Sequence, residues 1–219
     1  MQLTFKQVKT NLFVNDFIKQ TEKYLKALGY TDHGFRHTNI VADRAMSLAK
    51  KVGLSKREQE LSAISGYCHD MGNFLGRSWH HYWAAMLFSQ VFMSLAAPED
   101  LSTVMQAIVS HDKDDLKLVS KVSAILILAD KSDVHRTRVQ SKGSIKTDIH
   151  DRVNWAATDN QLSVDSKRKE IILKINIDTK LADPIEYFEI FINRMTFCRL
   201  AAKYLGYKFV LMINNYKLS

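Results

Sequence analysis

The stretch "SGYCHDMGNF", residues 65 to 74, closes a segment that reads as buried helix and then presents two groups that interiors avoid. From Leu61 to Cys68 no residue carries a charge, as expected of a helix packed on all sides. His69 and Asp70 follow side by side, and Gly72 is expected to stop the helix in a left-handed cap. The helix has an equally clear start. Ser55 and Glu58 form a capping-box pair, which satisfies two of the free amide donors of a first turn. A carboxylate buried beside an imidazole needs a partner for its charge, and a divalent cation is one that a hydrophobic core does not supply.

Outward from this segment, the chain to about residue 140 reads as successive amphipathic helices, with candidates at 12–28, 36–52, 78–95, 99–111 and 117–133. In the last of these, "VSAILILAD", periodicity does not separate helix from buried strand, and the helical surroundings favour helix. Residues 139–148 are polar and contain Gly143, the composition of a connection. A short helix, "HDRVNWAATD", is expected next. The pattern then changes to two strand-like runs around a charged turn, and Ile171, Leu173, Ile175 and Ile177 alternate with side chains that can face water. Asp183 and Pro184 open a helix with an apolar face of Phe188, Phe191, Met195, Cys198, Ala202 and Leu205. Gly206 ends it, and "KFVLMIN" reads as a strand. The expected fold is mainly α: a helical domain over residues 1–145, then a small α+β unit of β-β-α-β order over 146–219.

Composition limits the function classes. The 219 residues suffice for one good core, and 46% hydrophobic with 25% charged content is ordinary for a globular protein. No apolar run approaches the ~18 residues of a membrane span, and the opening "MQLTFKQVKTNL" lacks the apolar segment of a secretory signal. Cys68 and Cys198 sit in apolar helical patterns and read as buried thiols of a reducing compartment, so the expected location is the cytoplasm. The net charge of +8 fits a phosphorylated substrate or a nucleic acid. The cations are dispersed, with "KRK" at 167–169 the tightest cluster and no aromatic–basic alternation, which argues against nucleic acid.

Six of the eight histidines fall between residues 33 and 111, mostly where an apolar helix begins or ends. A lone buried histidine is most often a hydrogen-bonded core residue, which suits His33, His135 and His150. The ordered series is different: His37, then His69-Asp70, then His80 or His81, then His111, then Asp130. Imidazoles and carboxylates together suit divalent Mn, Fe, Co, Ni or Zn, with Mg where oxygen dominates. Such an ion lowers the pKa of bound water and holds phosphoryl oxygens.

This order, with its local surroundings, resembles the HD-domain superfamily of metal-dependent phosphohydrolases over roughly residues 20 to 140. "FRHTNIVADRAMSLA" is similar to the family's first motif and "YCHDMGN" to its defining doublet. "HHYWAAMLF" matches a histidine followed four and five residues later by small residues, which selects His80. "AIVSHD" and "LILADKSDVHR" resemble the remaining two motifs. The resemblance implies an HD-type helical bundle with His37, His69, Asp70 and Asp130 on a first ion. It implies His80 and His111 on a second ion, with Asp70 bridging. Asp70 and Lys131 would be the catalytic residues, and Lys131, Arg36, Arg77 and Arg136 would bind phosphate. Asn73 stands where the family often has lysine, which removes a common phosphate contact.

The expected activity is therefore that of an enzyme: a divalent-metal phosphohydrolase using metal-activated water on a phosphoester or phosphoanhydride of a nucleotide or related small molecule. A non-catalytic metal-containing nucleotide receptor is the alternative. Nucleic-acid binding through the basic surface is a third reading and predicts steep loss of binding with salt. No membrane partner is expected, and an exposed edge strand in the C-terminal sheet could pair two chains into a homodimer.

Overall fold

The computed structural model describes residues 2–112, 117–141 and 143–218. The helical part contains α1 (Phe5–Lys9), α2 (Leu12–Ala27), α3 (Phe35–Lys51), α4 (Lys56–Cys68), α5 (His80–Phe92), α6 (Pro98–Ser110) and α7 (Lys121–Lys131). The expected helices appear with ends shifted by a few residues, and "VSAILILAD" is helical. The start proposed at 117 moves to Lys121, where Ser120 caps the first turn, and residues 113–116 lie outside the described residues. The five-residue α1 was not expected, although Thr4 and Gln7 form a capping box around its start.

Two helices form the middle of the bundle. Every residue of α4 from Leu61 to Cys68 is buried, and so is every residue of α7 from Val122 to Ala129. Their polar members face no water: Ser65 turns its hydroxyl back to the Leu61 carbonyl, four residues earlier. α3, α4, α6 and α7 pack on one another, and α5 lies against α6. Gly66 lets α4 approach α3 closely, because a Cβ there would meet Ala42 Cα at 2.9 Å.

Gly72 does not form the expected left-handed cap. Its φ of −90° lies in the right-handed region, and a 3-10 turn over Asn73–Leu75 follows it. The glycine is required by packing: a Cβ would run into the His80 carbonyl oxygen and the Ala84 amide at the start of α5. The missing side chain lets α5 begin against the His69-Asp70 doublet.

The C-terminal part contains α8 (Ile149–Ala156), β1 (Ala157–Asp165), β2 (Glu170–Ile177), α9 (Pro184–Tyr204), β3 (Lys208–Ile213) and β4 (Tyr216–Lys217). β1 and β2 are an antiparallel hairpin, α9 crosses over to bring β3 parallel to β2, and β4 turns back on β3. The sheet order is β1-β2-β3-β4, one short edge strand beyond the expected β-β-α-β unit. Ile171, Leu173, Ile175 and Ile177 are buried in alternation with half-buried neighbours, as their spacing requires. Asp183 and Glu186 form the capping box of α9, with Pro184 in its first turn, and Gly206 at φ +79° follows its end. The unit is not detached. α9 packs along α7 and β1 touches α3, so one hydrophobic core runs through both parts.

Candidate metal centre

The five helix ends α3, α4, α5, α6 and α7 meet at one point. His37 lies in the first turn of α3, His69 and Asp70 follow the last residue of α4, and His80 is the first residue of α5. His111 follows α6, and Asp130 sits in the last turn of α7. Three of these ends are C-termini, whose free carbonyls favour positive charge. His37, His69, Asp70, His80 and His111 are all nearly or fully buried, and Asp130 keeps a small exposed face.

The hydrogen bonds fix which ring nitrogens face inward. His69 Nδ1 donates to the Gly66 carbonyl at 2.8 Å, His80 Nδ1 to the Arg77 carbonyl at 2.8 Å, and His111 Nδ1 to the Ile108 carbonyl at 2.6 Å. His37 Nδ1 lies 2.7 Å from Asp133 Oδ2. A carbonyl or carboxylate partner places the proton on Nδ1, so each neutral ring turns an Nε2 lone pair inward. With all four rings neutral, four acceptor nitrogens and two carboxylates point at one another, an arrangement that positive charge satisfies, whether a bound cation or a proton on a ring.

The inward-facing donor atoms fall into groups at ligand spacing. Donors ~2.1 Å from a shared ion stand about 3.0–3.4 Å apart for octahedral to tetrahedral angles. His37 Nε2 is 3.3 Å from His69 Nε2, 3.5 Å from Asp70 Oδ2 and 3.3 Å from Asp130 Oδ1, and His69 Nε2 is 3.1 Å from Asp70 Oδ2. On the other side of the same carboxylate, Asp70 Oδ1 is 3.3 Å from His80 Nε2 and 3.8 Å from His111 Nε2. Those two nitrogens are 3.2 Å apart. Asp70 thus turns one oxygen to each group. The six residues taken from the sequence are brought together, and their donor set fits borderline divalent ions.

Electrostatics agree with a site built for positive charge. Burial raises the carboxyl of Asp70, but His69 and His111 override it and hold it well below the ordinary range. Asp130 is held low in the same way by Lys131, His37 and His69. Burial opposes charge on His69, yet Asp70 and Asp130 hold its imidazolium up to about 10. His80 goes the other way: burial, with help from His111 and Arg77, pushes it down to about 3 despite Asp70.

A further layer was not read from the sequence. Asp133, 1% exposed, receives His37 Nδ1 and the Arg36 guanidinium at 2.7 Å, with Arg138 Nε at 3.9 Å. Its position three residues after Asp130, on the same turn, was the available signal. Asn73 is the other addition. Its Nδ2 donates to Asp70 Oδ1 at 2.9 Å and its Oδ1 accepts from Arg77 at 2.8 Å, so it ties the bridging carboxylate to a cation.

The phosphate-binding expectations divide. Lys131 is 3% exposed, with Nζ 3.4 Å from Asp130 and 3.7 Å from Asp112, and it lines the pocket above the cluster. Arg77 lines that pocket too. Arg36 does not reach it, because its guanidinium is committed to Asp32 and Asp133. Arg136 lies over the Trp155 ring, 5.6 Å away, and is not part of the pocket wall. Arg138 and Arg194 line it instead, and nothing in the local sequence distinguishes Arg194. His81, adjacent to His80 on α5, belongs to none of the three ligand groups among the described residues.

No family model matches the chain. One relative, the uncharacterized protein MJ1020 of Methanocaldococcus jannaschii, is 26% identical over 160 residues, covering 63% of this chain and 61% of its own length. The chain therefore spans less than two thirds of that relative. The relative's name assigns no activity. What the chain carries is a buried histidine–aspartate cluster able to hold metal, in a mainly helical fold.

Proposed function

We propose that the protein is a divalent-metal phosphohydrolase of the HD type, acting on a phosphoester or phosphoanhydride of a nucleotide or related small molecule. The observation that carries this reading is the convergence of four Nε2 lone pairs on the two oxygens of Asp70, beside a cationic rim. His37, His69, Asp70 and Asp130 would hold one ion, and Asp70, His80 and His111 a second. Bound divalent ions supply Lewis acidity toward phosphoryl oxygens and a water nucleophile at neutral pH.

The chain's own residues supply positioning and charge. Asp133 holds the His37 ring in the tautomer that faces the cluster, and three backbone carbonyls do the same for the other rings. Asn73 fixes the Asp70 carboxylate. Lys131 and Arg77 face the pocket, where they stabilise the charge that builds on the phosphoryl oxygens.

The test is hydrolysis of a broad phosphoester panel by the manganese- or cobalt-loaded chain, compared with Asp70→Ala. Turnover that disappears in the variant supports the proposal. Tight nucleotide binding with no turnover across the panel would replace it with the receptor reading. Binding only to nucleic acid, with a steep salt dependence, would replace it with the third.

A further inference from the structure

The C-terminal unit contributes no residue to the metal cluster, yet it walls the space beside it. Arg194 of α9 lines the pocket above the cluster, and the same arginine lines a second cavity that also takes residues from α8. The two spaces share His33, Arg77, Arg138 and Arg194. They differ greatly in room: about 20 Å³ above the cluster and about 170 Å³ in the second cavity. One water position takes ~10–15 Å³, so the first space suits a few phosphoryl or solvent atoms only. The second cavity, which shares four wall residues with the first, offers room for whatever is attached to a phosphoryl group there.

That second cavity is built for a particular chemistry. At the end shared with the metal pocket it is cationic. Arg194 lies over the Phe191 ring at 4.7 Å, and no carboxylate among the described residues pairs with it. Its wall also takes Asp148, Asp151 and Asn154 of the α8 region, the two aspartates already accepting from His150 N, Asp151 N and Ser144 Oγ. Asn154 is the informative one. It is 4% exposed, and its Nδ2 donates to the His150 carbonyl at 2.8 Å, which fixes which amide atom is which. Its Oδ1 has no hydrogen-bond partner and almost no accessible surface, a condition that folded proteins rarely leave unmet, and a turn of the side chain is what would present it to an occupant of the cavity. Tyr30, His150 and Phe191 add ring faces to the wall.

We propose that this cavity receives the organic group of the phosphorylated substrate, so that the C-terminal unit selects it. Arg194 holds the phosphate where the two spaces join, and Asn154 Oδ1 accepts a hydrogen bond from a ring-bearing, donor-rich group, the chemistry of a nucleoside. The phosphate end of this assignment rests on the phosphohydrolase reading above. The cavity and the unmet acceptor are independent of it.

The experiment is calorimetric binding to the full, manganese-loaded chain. The probes are methylphosphonate and the adenine, guanine, cytosine and uracil 5′-deoxy-5′-phosphonomethyl nucleosides, in which a methylene group replaces the ester oxygen and resists hydrolysis. At least one nucleoside probe is expected to bind tenfold or more tightly than methylphosphonate. In Asn154→Leu that advantage should shrink to about twofold. Arg194→Gln, at a half-buried position that tolerates the change, should weaken the best nucleoside probe by about tenfold, and it serves as the readout should Asn154→Leu fail to fold. Equal binding of methylphosphonate and every nucleoside probe would overturn the cavity assignment and leave the phosphohydrolase reading standing. So would an undiminished advantage in both variants. Failure of methylphosphonate and nucleoside probes alike would overturn both.

Discussion

Replacing Gly66 by alanine sets two effects of opposite sign against each other. In a helix interior, alanine for glycine ordinarily gains about 1 kcal/mol. At Gly66, however, the new Cβ would lie 2.9 Å from Ala42 Cα, 3.0 Å from Ala42 N and 3.1 Å from the Val41 carbonyl carbon. Ordinary contact begins near 3.4 Å, and all three atoms are backbone, so no rotamer change relieves them. α3 has to retreat by roughly half an ångström, and overpacking of this kind costs ~1–3 kcal/mol. With three simultaneous backbone clashes the cost falls in the upper part of that range, so the net loss is about 1–2 kcal/mol. For a chain of this size that lowers Tm by about 2–8 °C. The retreat also carries His37 away from His69, whose Nε2 atoms are 3.3 Å apart, and sites need placement within ~0.5 Å. Differential scanning calorimetry and manganese titration measure both consequences. Gly143→Ala is the control, because a Cβ there would meet only Ser141 Oγ at 3.7 Å, and it should be neutral or slightly stabilising. A Gly66→Ala protein with unchanged or raised Tm and full manganese affinity would refute the reasoning.

Other outcomes follow from the same geometry. His80→Ala should lose about one bound ion per chain while His81→Ala keeps both, as counted by elemental analysis, and the reverse pattern would exchange their roles. Asp133→Asn should weaken metal binding by about 10–100-fold, the usual cost of removing a ligand's carboxylate support, with the Nδ1 shift of His37 as its NMR signature. Metal binding should release protons. His69, held charged up to about 10 without metal, has to become neutral to ligate, so affinity should climb about tenfold per pH unit between neutrality and that value. Titration in two buffers of different ionisation enthalpy counts the proton, and buffer-independent heats would contradict this.

The helices were legible because each carries a local signature: a capping box at Ser55 and Glu58, an uncharged run ending at Cys68, a proline start at Pro184. The His69-Asp70 doublet was legible for a related reason, since a burial pattern broken by two charged groups shows within ten residues. What escaped depends on distant contacts. Gly72 read as a cap, yet its role is to admit the backbone of α5, which only the folded packing reveals. Arg36 and Arg36-like neighbours of ligands look the same in a sequence whether they face a substrate or a carboxylate, and here Asp32 and Asp133 take the guanidinium. Arg194 lies more than sixty residues beyond the last ligand in the chain and reaches the pocket only because α9 docks along α7. The short strand β4 has two residues, too few to carry a period.

The most direct test is a count of metal per chain in the purified, reloaded protein and in Asp70→Ala. Two ions in the parent chain and loss of both from a folded variant are the predicted result, because Asp70 turns an oxygen to each ligand group. A reloaded parent chain that holds no metal would contradict the account.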